Sequence, residues 1–329
     1  MAESPYRLIG GEMSPYSVKA RAYLRYKNVP HVWLNRADHE KEFQKHARLP
    51  LVPLLITPDG EPMQDSTPIL DYIDAHFPDP ATHPDDEVLR FLSLLIEEYG
   101  DEWGNKLMFH HRWWDEVDQL ASARALAHAF NPDADAETLK QTEQAVKARM
   151  SGRGDFVGSN EGTKSLIERY LSALLDILEA HLADRPYLFG GRPAFGDFGL
   201  AAQLYEAALD PTAGGIIRAR FPQVLDWCYR MQNPRNDGAW ESWDALETTL
   251  MPLVENIGKF FLPWSAANAE ALAGEQPSFT VALPDGDYTQ PPQKYHARSL
   301  SALREKYAAA ATPALDAVLE KGDALRWLR

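Results

Sequence analysis

The sequence predicts an α/β domain at the N-terminus followed by an all-α domain. Three observations support this: strand and helix patterns alternate over the first 80 residues, prolines punctuate residues 78–84, and helical periodicity dominates the rest of the chain. Alternation favours a sheet with crossover connections, whereas successive amphipathic helices favour helix-on-helix packing. We therefore expect one domain over 1–80, a second over 81–244, and an extension over 245–329 that is mostly helical with a short hairpin-like segment.

The first domain is predicted to have the element order β-α-β-α-β-β-α. Its first helix is expected to begin at Ser14, because a serine directly before a proline is typical of a helix start. The other predicted elements are strands at 6–10 and 31–34, a polar helix at 39–47, a hairpin around the Pro-Asp-Gly turn at 58–60, and a helix that opens at Ser66. In the first helix we expect a solvent-facing row of cations, namely Lys19, Arg21, Arg25 and Lys27.

Beyond the proline-rich segment, apolar residues recur with helical spacing. The predicted helices are Glu87 to about His110, 136–150, Ser165–Leu182, one from about Asp197, Pro222–Met231, further helices within 240–273, and one at about 297–310. Between the last two, the stretch FTVALPDGDYTQPP predicts a small hairpin or an extended loop.

Composition excludes several classes of function. The formal net charge is −15, so the chain repels phosphate backbones and anionic lipid, and we expect neither nucleic-acid nor membrane binding. No stretch without charged residues exceeds ten residues, which is too short to span a bilayer, and the first residues do not resemble a secretory signal. The single cysteine, Cys228, excludes an internal disulfide and a cysteine-based metal cluster, so we expect a cytoplasmic protein.

Four motifs in order resemble the glutathione transferase superfamily. They are SPYSVKAR at 14–21, LVPLL at 51–55, QDSTPILDYI at 64–73 and PYLFGGRPAFGDFGLAAQL at 186–204. The first is similar to the serine-type members of the superfamily, tau-class ones in particular. The resemblance covers about residues 5–235 and implies a thioredoxin-like N-terminal domain that binds glutathione and an all-helical C-terminal domain. It says little about the extension.

The resemblance implies that Ser14 donates a hydrogen bond to the glutathione thiolate. A free thiol has a pKa of about 8.5 and is roughly 3% ionised at pH 7, whereas a pKa of ~6.5 would give roughly 75% thiolate, at about 2.7 kcal/mol of anion stabilisation. A serine, unlike a cysteine, cannot form a disulfide with glutathione, which suits conjugation. The alternative is that Ser14 only caps the helix. Tyr6 and Tyr16 are rival hydroxyl donors, and Ser17 is a supporting donor at the helix N-terminus.

The resemblance also implies two sites for the glutathione backbone. A cis peptide bond before Pro53 would turn the backbone of Val52 toward the cysteinyl unit of glutathione, and the alternative is an ordinary edge-strand proline. Asp65 would face the γ-glutamyl ammonium. Ser66 and the first amides of its helix would hold the γ-glutamyl carboxylate. The alternative for Asp65 and Ser66 is a helix start with no ligand.

The sequence departs from the family pattern at two places. A cation is commonly found two residues before the cis-proline, where this chain has Leu51, so Lys45 and Arg48 are the candidates for the glycyl carboxylate, with surface solvation as the alternative. The helical domain usually has a Ser or Thr three residues before its structural aspartate. Here that position is Ala194 and the aspartate is Asp197, for which we expect a structural role.

The segment EEYGDEWGNKLMFHHRWW at 97–114 is rich in acids and aromatic residues. Adjacent histidines on a helix diverge by about 100°, so His110 and His111 cannot chelate one ion together, and we predict a solvated acidic face and no metal site. In the family this helix lines the second-substrate pocket. The residues implied for that pocket are Met13, Tyr16, Phe109, His110, Trp113 and Trp114.

The predicted function is a glutathione transferase-like enzyme that conjugates the glutathione thiolate to a small apolar electrophile, with glutathione as a substrate. A non-catalytic binding module on the same fold is one alternative. Glutathione-dependent isomerase, lyase or dehalogenase chemistry is another, and the sequence does not separate these. We expect a homodimer.

Overall fold

A computed structural model describes residues 5–329 of the chain; the first four residues, which the sequence analysis assigns to the N-terminal domain, lie outside this range. The N-terminal sheet has four strands, which are β1 (Tyr6–Gly10), β2 (His31–Asn35), β3 (Leu54–Ile56) and β4 (Pro62–Gln64). Their spatial order is β2-β1-β3-β4, with β1 parallel to β2 and antiparallel to β3, and β3 antiparallel to β4. The predicted parallel pair joined by a crossover helix is confirmed in β1 and β2, and the predicted hairpin at the end of the domain is confirmed in β3 and β4.

Helices cover both faces of this sheet. They are α1 (Pro15–Tyr26), α2 (Glu40–His46) and α3 (Ser66–His76). Strand side chains alternate between the faces: Leu8 and Leu55 join the large core that includes α1 and α3, whereas Ile9 and Leu54 pack with Phe43 of α2. This is the predicted order β-α-β-α-β-β-α, and the fold class is confirmed.

The second part of the chain is a helical bundle. Its helices are α4 (Glu87–Tyr99), α5 (Asn105–Trp113), α6 (Glu116–Phe130), α7 (Ala136–Ser151), α8 (Lys164–His181), α9 (Phe195–Leu209), α10 (Pro211–Arg220), α11 (Pro222–Arg230) and α12 (Trp243–Asn256). A π-helical segment, Gly100–Gly104, joins α4 to α5, so the predicted long helix continues beyond His110. Helices α6 and α10 were not predicted from the periodicity.

The backbones of α4 and α9 are in direct contact. A Cβ atom added to Gly100 would lie 2.5 Å from the backbone nitrogen of Leu200, and one added to Gly199 would lie 2.8 Å from the carbonyl oxygen of Glu97. Side chains larger than hydrogen cannot occupy these positions without separating the helices. The two glycines therefore set the distance of α4, and of the π-helical segment, from the centre of the bundle.

The extension folds back over the bundle. It contains α13 (Leu262–Ala273), β5 (Phe279–Leu283), β6 (Gly286–Gln290), α14 (Lys294–Ala310), α15 (Pro313–Lys321) and α16 (Leu325–Leu328). Strands β5 and β6 form the predicted hairpin. Helix α14 lies along α4, where Tyr307 meets Phe91 edge-to-face with ring centroids 5.8 Å apart. Within residues 5–329, no helix combines the length and apolarity that a bilayer span requires.

The expectation that all four cations of α1 face solvent was wrong for three of them. Lys19, Arg21 and Lys27 are buried, and only Arg25 is exposed. Helix α1 packs against α9 and against α3, and each buried cation has an acidic partner on a neighbouring segment. A helix face lined with Lys and Arg is solvated only if no complementary acids cover it, and the sequence of one helix does not show this.

Asp197 has the predicted structural role. Its buried carboxylate accepts hydrogen bonds from the backbone N–H groups of Leu188 and Ala194 and from the indole N–H of Trp227, each 2.9 Å long. It therefore connects the loop before α9, the start of α9 and α11. The three N–H groups are buried away from water, so they depend on this one carboxylate for their hydrogen bonds.

We predict that Asp197→Ala lowers the free energy of unfolding by about 3–5 kcal/mol, because three buried N–H donors lose their acceptor. Urea unfolding measures the change. Asp226→Ala is the matched control, since Asp226 is an exposed acid on α11 and its loss should change the stability by no more than about 0.5 kcal/mol. Equal effects of the two substitutions would contradict this role.

Candidate functional site

Ser14 caps α1 at the edge of the sheet. It is half-buried, its Oγ accepts the backbone N–H of Ser17 at 3.3 Å, and its carbonyl oxygen accepts the N–H of Val18 at 3.0 Å. In this geometry the serine oxygen is an acceptor for the helix, while the hydroxyl hydrogen remains available to a ligand. Capping and ligand binding are therefore compatible at this residue.

The peptide bond between Val52 and Pro53 is cis, as predicted. Just before it, the side chain of Gln64 on β4 organises the loop: it accepts the N–H groups of Arg48 and Leu49 at 2.6 and 3.0 Å and donates to the carbonyls of Leu49 and Leu51 at 2.9 and 2.8 Å. No signal in the sequence identified Gln64 as a site residue.

The backbone of Val52 is left available by this arrangement. Within residues 5–329 it forms no hydrogen bond to other backbone groups. An extended peptide could pair with it at the edge of the sheet. Lys45 and Arg48 precede Val52 by a few residues, and their side chains are exposed. Within the described chain neither side chain forms an ion pair. Both are therefore free for an anionic ligand.

The start of α3 brings Asp65 and Ser66 to the surface of α4. Asp65 adopts a positive φ of 81° and does not cap α3 with its side chain. Ser66 is 1% exposed, and its Oγ lies 3.4 Å from both Lys19 Nζ and Asp101 Oδ2. The hydroxyl predicted to bind a carboxylate is therefore engaged by the protein, and the N–H groups of the first turn of α3 are the donors that remain there.

Lys19 is the centre of a buried ion cluster. Its Nζ lies 2.5 Å from Glu97 Oε1, 2.6 Å from Asp101 Oδ2 and 3.0 Å from Thr67 Oγ1. One ammonium group thus joins α1, α3, α4 and the π-helical segment. The prediction of a solvated acidic face was wrong, because Glu97, Asp101 and Glu102 are all buried. The cationic partner of Glu97 and Asp101 lies about 80 residues earlier in the chain, and Glu102 contacts His296 of the extension, so helix-local patterns could not reveal these partners.

The acids of this cluster are not equivalent. Burial raises the pKa of Asp101 to about 7, although Lys19 opposes the shift. Burial also opposes ionisation of Glu97, but the ammonium of Lys19 outweighs it and holds the pKa of Glu97 below its usual value. Burial and the neighbouring carboxylates, led by Glu102, raise the pKa of Glu98 well above the usual range. Lys19 therefore opposes protonation of both Glu97 and Asp101, and the opposition prevails over burial at Glu97.

Tyr16 points into the same region. Its hydroxyl donates to the carbonyl oxygen of Asp101 at 2.9 Å, and its pKa is raised well above the usual value by burial and then by Glu102, Asp101, Tyr295 and Asp65. A phenol in this position stays neutral and has its proton committed to a backbone acceptor. This favours Ser14 over Tyr16 as the hydroxyl donor to a thiolate.

Arg112, which the sequence analysis did not identify, ties the mouth of α1 to the helical bundle. It donates to the carbonyl of Met13 at 3.0 Å while pairing with Glu206 at 2.8 Å and Asp210 at 2.9 Å. All three charged side chains are buried. Since Met13 directly precedes Ser14, this ion cluster fixes the loop on which Ser14 lies.

The aromatic residues predicted for a second-substrate pocket pack into the helical bundle. Phe109 and Trp113 belong to a small core with α6 and α7. His110 is 1% exposed, its Nδ1 is 2.7 Å from Ser159 Oγ, and it stacks on Trp114. These contacts do not support their assignment to a pocket. Among residues 5–329, no three potential metal-ligating side chains of the types His, Cys, Asp and Glu converge.

Comparison with known proteins gives two family matches. The model described as "Glutathione S-transferase, N-terminal domain" matches residues 8–81, and the model described as "Glutathione S-transferase, C-terminal domain" matches residues 136–230. A probable glutathione S-transferase BZ2 of Zea mays is 26% identical over 53% of this chain and 75% of its own length. The two domain models thus fall on the sheet domain and on the helical bundle.

Solved structures show more distant similarity. A glutathione S-transferase of Methylobacterium radiotolerans in complex with glutathione sulfonate is 22% identical, with 70% of this chain and 91% of that chain covered and a TM-score of 0.41. A tau-class glutathione S-transferase of Mangifera indica is 21% identical, with 70% and 89% covered and a TM-score of 0.42. The β-etherase LigF of a Sphingobium strain is 17% identical, with 69% and 95% covered and a TM-score of 0.47.

The raised pKa of Asp101 predicts a pH dependence of stability. The carboxyl titrates near pH 4 in the unfolded chain and near pH 7 in the folded one, so between these values the folded chain retains a proton that the unfolded chain releases. The free energy of unfolding should therefore fall as the pH rises through this window. In Asp101→Asn this contribution is absent.

Urea unfolding of the two proteins from about pH 5 to about pH 8 tests this prediction. Buried acids that lie far from Asp101 titrate alike in both proteins and cancel in the difference, so what remains is the contribution of Asp101 and the carboxylates coupled to it. We expect the stability of the wild type relative to Asp101→Asn to decline with rising pH. Parallel stability curves would show that Asp101 is already ionised at pH 5, and the exposed Asp226→Asn should give such parallel curves.

Proposed function

The chain belongs to the glutathione transferase superfamily, and from that premise we propose that it binds glutathione beside β3 and α3 and transfers its thiolate to a small apolar electrophile. The observation that carries the proposal is the half-exposed Ser14 at the start of α1, whose hydroxyl hydrogen is not needed by the helix. Glutathione is a substrate in this proposal, and the reaction uses no metal ion.

The proposed pose follows the free polar groups along the sheet edge. The backbone of Val52, which forms no backbone hydrogen bond within the described residues 5–329, pairs with the cysteinyl unit and places the sulfur toward Ser14. The carboxylate of Asp65 faces the γ-glutamyl ammonium, and the backbone N–H groups of Ser66 and Thr67 at the start of α3 face the γ-glutamyl carboxylate. Lys45 or Arg48 neutralises the glycyl carboxylate.

Stabilisation of the thiolate accounts for only part of the proposed catalysis. Lowering the thiol pKa from about 8.5 to ~6.5 raises the thiolate fraction at pH 7 by roughly 25-fold. A less basic thiolate is also a weaker nucleophile, by about eightfold for a Brønsted slope of ~0.45. The net gain is about threefold, so the rest must come from positioning the electrophile beside the sulfur.

We predict that Ser14→Ala raises the pKa of bound glutathione by about two units, because the thiolate loses its hydroxyl donor. Ultraviolet absorbance of the thiolate in the complex, followed against pH, measures this shift. In a conjugation assay with an aryl halide, the rate constant for the bound complex should fall about threefold at pH 7 and more steeply at lower pH.

Ser17→Ala is the matched control for that experiment. It removes a neighbouring hydroxyl that is fully buried, so this side chain is not expected to act as the supporting donor to the thiol, and it keeps the backbone N–H that Ser14 caps. Its bound thiol should titrate as in the wild type. If Ser14→Ala also titrates as the wild type while glutathione still binds, then Ser14 is only a helix cap.

We also propose that the protein is cytoplasmic and forms a homodimer. The single cysteine is fully buried, and burial raises the pKa of its thiol, which keeps it unreactive and suits a reducing compartment. The outer surface of α4 is occupied by α14, so a second copy would have to contact another surface. Sedimentation equilibrium should give about twice the chain mass of 37.0 kDa. A species of single-chain mass at micromolar concentration would contradict the dimer.

A further inference from the structure

The C-terminal extension reaches the proposed glutathione site. Tyr295, at the start of α14, donates its hydroxyl to Asp65 Oδ2 at 2.6 Å, across 230 positions of sequence. The ring itself is 55% exposed, so this contact is not a consequence of core packing. An exposed tyrosine that is held on a carboxylate at the edge of a site suggests a role toward a ligand.

Two clamps hold the start of α14 in place. The buried side chain of Asn268 accepts the N–H of Gln293 at 2.7 Å and donates to the carbonyl of Gln293 at 2.9 Å. On the next turn, His296 contacts the carboxylate of Glu102 and meets the ring of Trp264 edge-on, with centroids 4.7 Å apart. Tyr295 lies between these clamps, so its position over Asp65 is fixed by its neighbours on both sides.

A third anchor follows one turn later. The hydroxyl of Ser299 donates to the carboxylate of Glu98 on α4. The extension therefore contacts α3 at Asp65, α4 at Glu98 and the π-helical segment at Glu102. The first turns of α14 therefore lie beside the start of α3.

The acidic side chains around the hydroxyl of Tyr295 favour the binding of a cation. Burial raises the pKa of the Tyr295 hydroxyl most, and Asp65, Glu102 and Asp101 raise it further. Oδ1 of Asp101 is buried and has no hydrogen-bond partner within residues 5–329. Asp101 and Glu102 already have basic partners in Lys19 and His296, whereas Asp65 has none in the described chain. Asp65 is half-buried, so its carboxylate attracts an ammonium group more strongly than it would in water.

We propose that Tyr295 is a specificity-determining residue, which orients the carboxylate of Asp65 toward the ammonium of a γ-glutamyl group. This inference rests on the proposed function and deepens it, because it assigns part of the glutathione site to the extension. The hydroxyl occupies one lone pair of Oδ2 and leaves the other oxygen of Asp65 to the ligand. A thiol ligand without this ammonium gives Asp65 no cation to bind, so its affinity does not depend on Tyr295.

Calorimetric titration with two probes tests the proposal. The first probe is S-hexylglutathione, and the second is its analogue in which a glutaryl group replaces the γ-glutamyl group, so that only the amine is missing. Tyr295→Phe should raise the Kd of S-hexylglutathione by about tenfold, because Asp65 loses the hydrogen bond that orients its carboxylate toward the ammonium. The same substitution should leave the Kd of the glutaryl analogue unchanged.

Tyr307→Phe is the matched control. Tyr307 lies on the same helix and donates to a carboxylate oxygen of Asp316 at the same distance of 2.6 Å, but on the side of α14 that packs on α4 and α15. Both probes should bind this variant as they bind the wild type. Circular dichroism should show that Tyr295→Phe and Tyr307→Phe are folded at the temperature of the titration.

Three outcomes would overturn the inference. If Tyr295→Phe binds S-hexylglutathione as tightly as the wild type, Tyr295 is only a surface contact, and the proposed function stands. If Tyr295→Phe weakens the binding of both probes equally, the tyrosine shapes the site but does not recognise the ammonium. If the wild type binds neither probe, the proposed function fails together with this inference.

Discussion

The arrangement of the site depends on one buried ammonium group. The ammonium of Lys19, a residue of α1, contacts side chains of α3 and α4. Without it Glu97 would be an unpaired charge in the interior. Removing an ion from water costs several kcal/mol, which is offset only when partners and hydrogen bonds are well placed. The side chains of Glu97, Asp101 and Thr67 provide these, and the cluster therefore fixes the start of α3 relative to α1. Since Ser14 and Asp65 begin those two helices, the two ends of the proposed glutathione site are held in register by the same ion.

The helical bundle contributes to the site from its own side. Gly100 and Gly199 let α4 and α9 approach until their backbones touch, which places the π-helical segment against α1. Arg112 then reaches from α5 to the carbonyl of Met13 and holds the loop before Ser14. The residues that would touch glutathione thus belong to the sheet domain, whereas many of the groups that position them belong to the bundle. The site is a property of both domains together.

The extension adds a third layer. It covers α4 and reaches Asp65 through Tyr295, so it contacts a residue of the proposed site, for which the sequence predicted no contribution from the extension. The family matches end at residue 230, and the extension lies beyond them. A segment of this kind can change which ligands a common fold accepts, because it adds contacts at the edge of the site while the sheet and the bundle stay unchanged.

The sequence by itself determined the elements of the sheet domain and their order and most of the later helices, because strand alternation, proline and serine at a helix start, and helical periodicity are local signals. It missed α6 and α10. Short motifs also predicted the cis bond before Pro53 and the structural carboxylate of Asp197, and they are the basis for proposing Ser14, Val52 and Asp65 as site residues. Only the tertiary structure decided which charges are buried. Lys19 was expected in solvent and Glu97 on a wet face, yet they pair across 78 positions, and the hydroxyl of Ser66 turns toward them. Likewise Gln64, Arg112 and Tyr295 gained their roles from partners far away in the chain. The physical reason is that the energy of a charge or a hydrogen-bonding group depends on what surrounds it in space, whereas a sequence pattern reports only its neighbours along the chain.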